Sequence, residues 1–262
     1  MVTGNNGPKA RTLVLLLMAS IAPCYSGRTG RPVKAEDVGG ESASNQSFKP
    51  GPKAEKGSIE GTVVYQADAE RPWRYARYYV KSRKDGLMAE AVVAVTSLTD
   101  EVKGRPAKPA STVVDQKDFQ FIPETIAIRV GDKVQFLNSD KEVHNVATFH
   151  PKHSFNVNMP SGGKHVETFK YPGGMKRPYR IGCVYHSSMR SWIYVFDHPF
   201  YQVTRTDGKF RLKNLPPGEY KLEIIHSAGR LSWSKMVSVE GGKSTNVNCV
   251  LSPDNLPKKR SK

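Results

Sequence analysis

Apolar residues recur along this chain in short runs, many of them alternating with polar ones, and long helical stripes are hard to find. Ile59 to Tyr65 and Ala91 to Leu98 are β-branched runs bounded by glycine and charge. Thr125 to Val130 alternates, Gly131-Asp132 supplies a turn and Lys133 to Phe136 alternates again, a pattern that predicts a hairpin. Further strands are predicted at Val166 to Tyr171, Tyr179 to Cys183 and Ser191 to Phe196. Beyond them come Gln202 to Thr204, Lys209 to Leu212, Glu219 to Ile225, Lys235 to Val239 and Ser244 to Leu251, punctuated by Thr206-Asp-Gly208 and Pro216-Pro-Gly218. Turns at this density predict an all-β chain built as β-sandwiches, and no period of 20 to 50 residues suggests a repeat array.

The two ends differ from this middle. Lys9 and Arg11 precede the uncharged run Thr12 to Ala22, too short to span a bilayer but suited to the core of an export signal over residues 1–24. Cleavage near Cys24 would remove it, and Pro23 argues against lipidation of that cysteine. Residues 25–56 have almost no apolar content and read as a linker, and residues 252–262 as a basic tail. Export implies the periplasm or the cell surface. The chain carries 40 Lys+Arg against 24 Asp+Glu, a formal charge of +16, which favours encounters with acidic partners. The aromatics are not interleaved with the basic residues as a nucleic-acid platform would require.

One constellation carries chemistry. Cys183-Val-Tyr-His186-Ser-Ser-Met189 places a thiolate, an imidazole and a thioether on one short loop between two predicted strands. These three are one equatorial ligand short of a His₂Cys set with a weak axial methionine, and the missing ligand should come from a neighbouring loop. His144, six residues after Asn138 at the end of a predicted strand, fits. His150, His153 and His165 have no cysteine or carboxylate at zinc spacing and read as surface residues. His198 and His226 receive no role. In an oxidising compartment Cys183 and Cys249 could instead pair, which would abolish the thiolate, although Val247-x-Cys249-x-Leu251 places Cys249 on an apolar strand face.

Asn138, His144 and Asn145, with the C-x2-H-x2-M loop, resemble the cupredoxins, above all the amicyanins and a group labelled as methylamine-utilisation proteins; Asp115 to Pro123 is similar to that group's opening strand. The resemblance covers residues 112–197. It implies one type 1 copper ion with His144, Cys183 and His186 equatorial and Met189 axial, and gives Asn145 the task of tying the two ligand loops together. Ser187 stands where amicyanin-like loops usually have proline, and Met175 lies in a longer connection than usual and could compete as a soft ligand. Gly57 to Val64 and Thr206 to Leu222 resemble a carboxypeptidase regulatory-like domain, a transthyretin-like sandwich. Residues 57–111 and 198–251 would then form that domain, with the cupredoxin inserted.

No G-x-S-x-G, H-E-x-x-H or phosphate loop supports catalysis, and an almost closed ligand set leaves no open position for a substrate. The expectation is an exported blue copper protein, not an enzyme, that passes single electrons through the edge of His186 to an acidic redox partner drawn by Arg190 and Lys176-Arg177. The competing expectation is a binding module or copper carrier on a double sandwich.

Overall fold

The computed structural model describes residues 55–67, 69, 86–103 and 108–253. The export signal, Cys24, nearly all of the linker and most of the basic tail lie outside them. By its contacts the chain divides into Met1–Lys49 and Pro50–Lys262, and every described residue belongs to the second unit. No helix among the described residues is long and apolar enough to cross a membrane.

The described chain is all-β apart from one helical turn, as the turn density predicts. In order it runs β1 (Gly57–Tyr65), β2 (Val92–Thr96), the turn α1 (Asp100–Lys103), β3 (Ser111–Lys117), β4 (Gln120–Ile122), β5 (Thr125–Arg129), β6 (Lys133–Asn138), β7 (His144–His150), β8 (His153–Met159), β9 (Lys164–Thr168), β10 (Tyr179–Gly182) and β11 (Arg190–Phe196). There follow β12 (Tyr201–Val203), β13 (Lys209–Leu215), β14 (Gly218–His226), β15 (Leu231–Val239), β16 (Ser244–Asn246) and β17 (Cys249–Leu251).

Strands β3 to β11 make one sandwich, with a sheet ordered β5-β11-β10-β7-β8 facing one ordered β4-β3-β6-β9. Val114, Ile126, Val134, Phe136, Val146, Phe169, Ile181 and Ile193 fill the space between. The flanking segments make the second sandwich, from β13-β1-β16 with β17 also on β1, and from β12-β2-β14-β15. Its core includes Ile59, Val63, Val93, Val95, Leu212, Leu222 and Ile224.

Two strands lack the usual alternation, and the reason is their place. Strand β11 turns Ile193 and Val195 into the first core, and Tyr194 and Phe196 onto β2, whose Val92 and Ala94 face them in a third apolar cluster. In β2, Val93 and Val95 face the other way, into the second core. Both strands are buried on two faces, which is what a continuous apolar run encodes.

The turn at Gly131-Asp132 is not a hairpin. Strand β5 pairs in parallel with β11, whereas β6 lies between β3 and β9, so the turn is a corner that carries the chain from one sheet to the other. Asp132 fixes that corner by accepting the N–H groups of Arg129 at 2.8 Å and Ala110 at 2.7 Å. The β16–β17 stretch, predicted as one strand, is two. Gly61 lies where β1 exchanges β16 for β17, and a Cβ there would stand 1.8 Å from the Val247 carbonyl oxygen, so only glycine lets the chains approach.

Candidate metal centre

At one end of the first sandwich the loop before β7 and the loop between β10 and β11 meet. His144 opens β7, and Cys183 and His186 lie on the β10–β11 loop. One ring nitrogen from each of His144 and His186 and the sulfur of Cys183 all lie within 4.8 Å of one another. His144 Nδ1 is 3.1 Å from His186 Nδ1, which is 3.6 Å from Cys183 Sγ. Donors bonded at about 2.0–2.3 Å to one ion stand roughly 3.3–3.7 Å apart, so this spacing already approaches that of a metal's equatorial ligands. The donor set, two imidazoles and a thiol, suits a soft or borderline transition metal.

His144 and Cys183 are buried and His186 is partly exposed. Met189 is also buried, in the same apolar cluster as Cys183. Its N–H donates to the His186 carbonyl at 3.0 Å and its carbonyl accepts the Cys183 N–H at 3.4 Å, which closes the loop on itself. Met175 is elsewhere, in the cluster between the sandwiches. Cys183 and Cys249 are free and belong to different cores. Burial pushes the Cys249 thiol up to about 12, so it stays protonated and inert.

Asparagines hold the two loops. Asn138 donates to the carbonyls of Glu142 and Met159, each at 2.9 Å, and accepts the Asp140 N–H at 3.0 Å, shaping the turn that delivers His144. Asn145 accepts the Val184 N–H at 3.4 Å, a direct tie from β7 to the Cys183 loop. Its amide reaches Asn156 and Asn158, and Asn158 also accepts the Tyr185 hydroxyl at 2.8 Å.

Two site residues escape sequence reasoning. Asp140 accepts a hydrogen bond from His144 Nε2 at 2.7 Å, which aims Nδ1 at the other donors. The same carboxylate accepts the N–H groups of Asp118 at 2.7 Å and Phe119 at 3.0 Å. Both residues have a left-handed backbone, with φ of 53° and 57°, and Asp140 holds them there. Burial raises the Asp140 pKa, but the Phe119 N–H, the His144 ring and the Asp118 N–H outweigh it and keep the carboxyl below its usual range. Phe119 then sets its ring edge-on against His144 at 5.3 Å and His186 at 5.0 Å. An acidic residue four before the ligand histidine was the available signal for Asp140; nothing local marks Phe119.

The other histidines correct the sequence reading. Glu167 on β9 is the carboxylate partner of both His153, at 2.9 Å, and His165, at 3.0 Å. His153 lies 14 residues away on another strand, a partnership that spacing along the chain conceals. His198 and His226 are buried, and each accepts a backbone N–H at Nδ1, from Phe200 at 3.2 Å and Gly229 at 3.1 Å.

No family model and no curated protein matches the chain. Among solved structures, a mutant of amicyanin in the Cu(I) state is 22% identical, with a TM-score of 0.30, over 33% of this chain and 82% of that one. A second amicyanin mutant is 19% identical at the same score, over 41% of this chain and 99% of that one. A Cu-containing nitrite reductase from Thermus scotoductus is 23% identical, with a TM-score of 0.30, over 36% of this chain and 24% of its own.

Proposed function

We propose that this is an exported cupredoxin that carries single electrons on one type 1 copper ion. The observation that carries the reading is the His144, Cys183 and His186 donor group, preassembled within 4.8 Å at the end of a rigid sandwich. Copper bound there supplies a Cu(I)/Cu(II) couple. The residues would hold the ion: His144 and His186 through ring nitrogens, Cys183 through its thiolate and Met189, in the same buried cluster as Cys183, through its thioether sulfur. Asp140 and Asn145 fix the directions of the ligands, so little has to move between oxidation states.

The exposed side of the site fits an encounter surface. Phe119, Val143, Val184 and Tyr185 are exposed around the partly exposed His186. Beside them a groove of about 560 Å³ runs past Cys183 and Met189 between Arg180 and Arg190. An apolar rim with cationic flanks suits an acidic redox partner, and the +16 formal charge speeds its arrival. The flanking sandwich, read as a carboxypeptidase regulatory-like domain, acts as a scaffold and attachment module. A donor set completed by Met189 would leave no open position for a substrate, which favours a carrier of electrons over an enzyme, and the N-terminal 24 residues favour the periplasm or cell surface.

Potentiometric cycling of the copper-loaded chain beside a chelator separates this reading from a copper carrier. An electron-transfer site keeps its copper through repeated reduction and oxidation. Copper lost to the chelator in one oxidation state would identify a carrier or binding module instead.

A further inference from the structure

The first sandwich has an open side where the terminal strands of its two sheets, β8 and β9, have no strand partner along one edge each among the described residues. Glu167 of β9 bridges that side by accepting His153 Nε2 from β8 on one oxygen and His165 Nε2 from β9 on the other. All three side chains keep some contact with water, at 18%, 24% and 22% exposure for His153, His165 and Glu167. The rings are walled by aromatics: Phe169 stands 5.6 Å from His153, Phe136 stacks on His165 at 6.4 Å and Phe155 touches both.

We infer that His153, His165 and Glu167 form a second metal site, for a borderline divalent cation such as Zn²⁺, which staples β8 to β9 across the open edge of the sandwich. The donor chemistry is that of a two-imidazole, one-carboxylate zinc set with water completing the coordination. Each N···O separation, 2.9 and 3.0 Å, is close to the roughly 3.3 Å between neighbouring ligands on a tetrahedral ion, so each shared proton marks a place a metal could take. The rings stand on separate oxygens, and no choice of one donor atom from each of the three residues brings all of them within 4.8 Å, so the ion has to draw the rings together and the site is loadable rather than preformed. His153 Nδ1 is buried with no hydrogen-bond partner, so the ring carries a second nitrogen that the present hydrogen bonds leave unused.

The site shares no residue with the His144 centre, and the inference stands whether or not that centre binds copper. Cu²⁺ should also enter it, since the same donors bind copper more tightly than zinc. A copper titration would then show a second equivalent that adds no thiolate band.

The test is zinc binding to the untagged chain carrying Cys183→Ser and His144→Ala, which removes two of the other centre's three grouped donors, with zinc counted after gel filtration and affinity read by competition with a chromophoric chelator. One zinc per chain is expected, with a higher thermal midpoint in its presence. In that background Glu167→Gln and His165→Ala should each cost more than the roughly 10–100-fold that loss of an outer hydrogen-bonding partner costs. They should also abolish the rise in midpoint, while circular dichroism reports an intact β fold. No retained zinc, or a stoichiometry and affinity that both substitutions leave unchanged, would overturn the inference.

Discussion

At the scale of the residue, the candidate centre depends on how ligands are aimed as much as on which they are. Asp140 joins His144 to the Asp118–Phe119 turn through three hydrogen bonds, so its loss frees the ring and the turn together. Asp140→Asn can keep the shape but not the charge-assisted acceptor. Its copper affinity should fall about 10–100-fold and its reduction potential should shift, read by chelator competition and voltammetry. Wild-type values for both would show that the carboxylate plays no part in aiming His144. The three grouped donors were legible in the sequence because Cys183 and His186 share one short loop and His144 follows a strand-ending asparagine. Asp140 and Phe119 were not, because their roles exist only once a turn some 20 residues earlier folds back over the His144 loop, with 22 residues separating Asp118 from Asp140. The Glu167 partnership was hidden for the same reason.

At the scale of the element, the strands themselves were largely legible and their partners were not. Alternation located β5 and β6, but a Gly-Asp turn serves a hairpin and an inter-sheet corner equally well, and only the packing of the opposite faces decides. Strands β7 and β8 were missed because HNVATFH and HSFNVNM carry many polar residues, a composition explained by the half-exposed pattern of β8 and by the site at the start of β7. The continuous runs in β2 and β11, by contrast, contained more than a strand assignment: they mark the surfaces on which the two sandwiches meet. Phe196, 1% exposed and stacked on Tyr201 at 4.6 Å, lies in that junction. Phe196→Ala should cost about 3–5 kcal/mol in denaturant unfolding. Because it lies outside the core that contains Cys183, the spectrum of the copper-loaded protein should hardly change. A loss below 1 kcal/mol would mean that the sandwiches do not depend on this contact.

At the scale of the whole molecule, two buried histidines tie stability to pH. Burial holds His198 and His226 down at about 4, against an ordinary value of 6.5, and each Nδ1 accepts a backbone N–H that protonation would displace. The unfolded chain therefore binds more protons than the folded one between about pH 6.5 and 4. The contribution of these histidines is complete above the upper limit and is lost as pH falls toward the lower one. Thermal midpoints of the metal-free chain should drop through that window, and His198→Gln or His226→Gln should shallow the drop; equal slopes in wild type and both variants would contradict this. The central claim, that one end of the sandwich is a copper-thiolate centre, is tested most directly by the visible absorption spectrum of the purified chain after one equivalent of Cu²⁺. The account predicts an intense blue band that vanishes in Cys183→Ser and weakens or shifts in His144→Ala. A colourless protein whose Cys183 remains a free thiol in the presence of copper would contradict it.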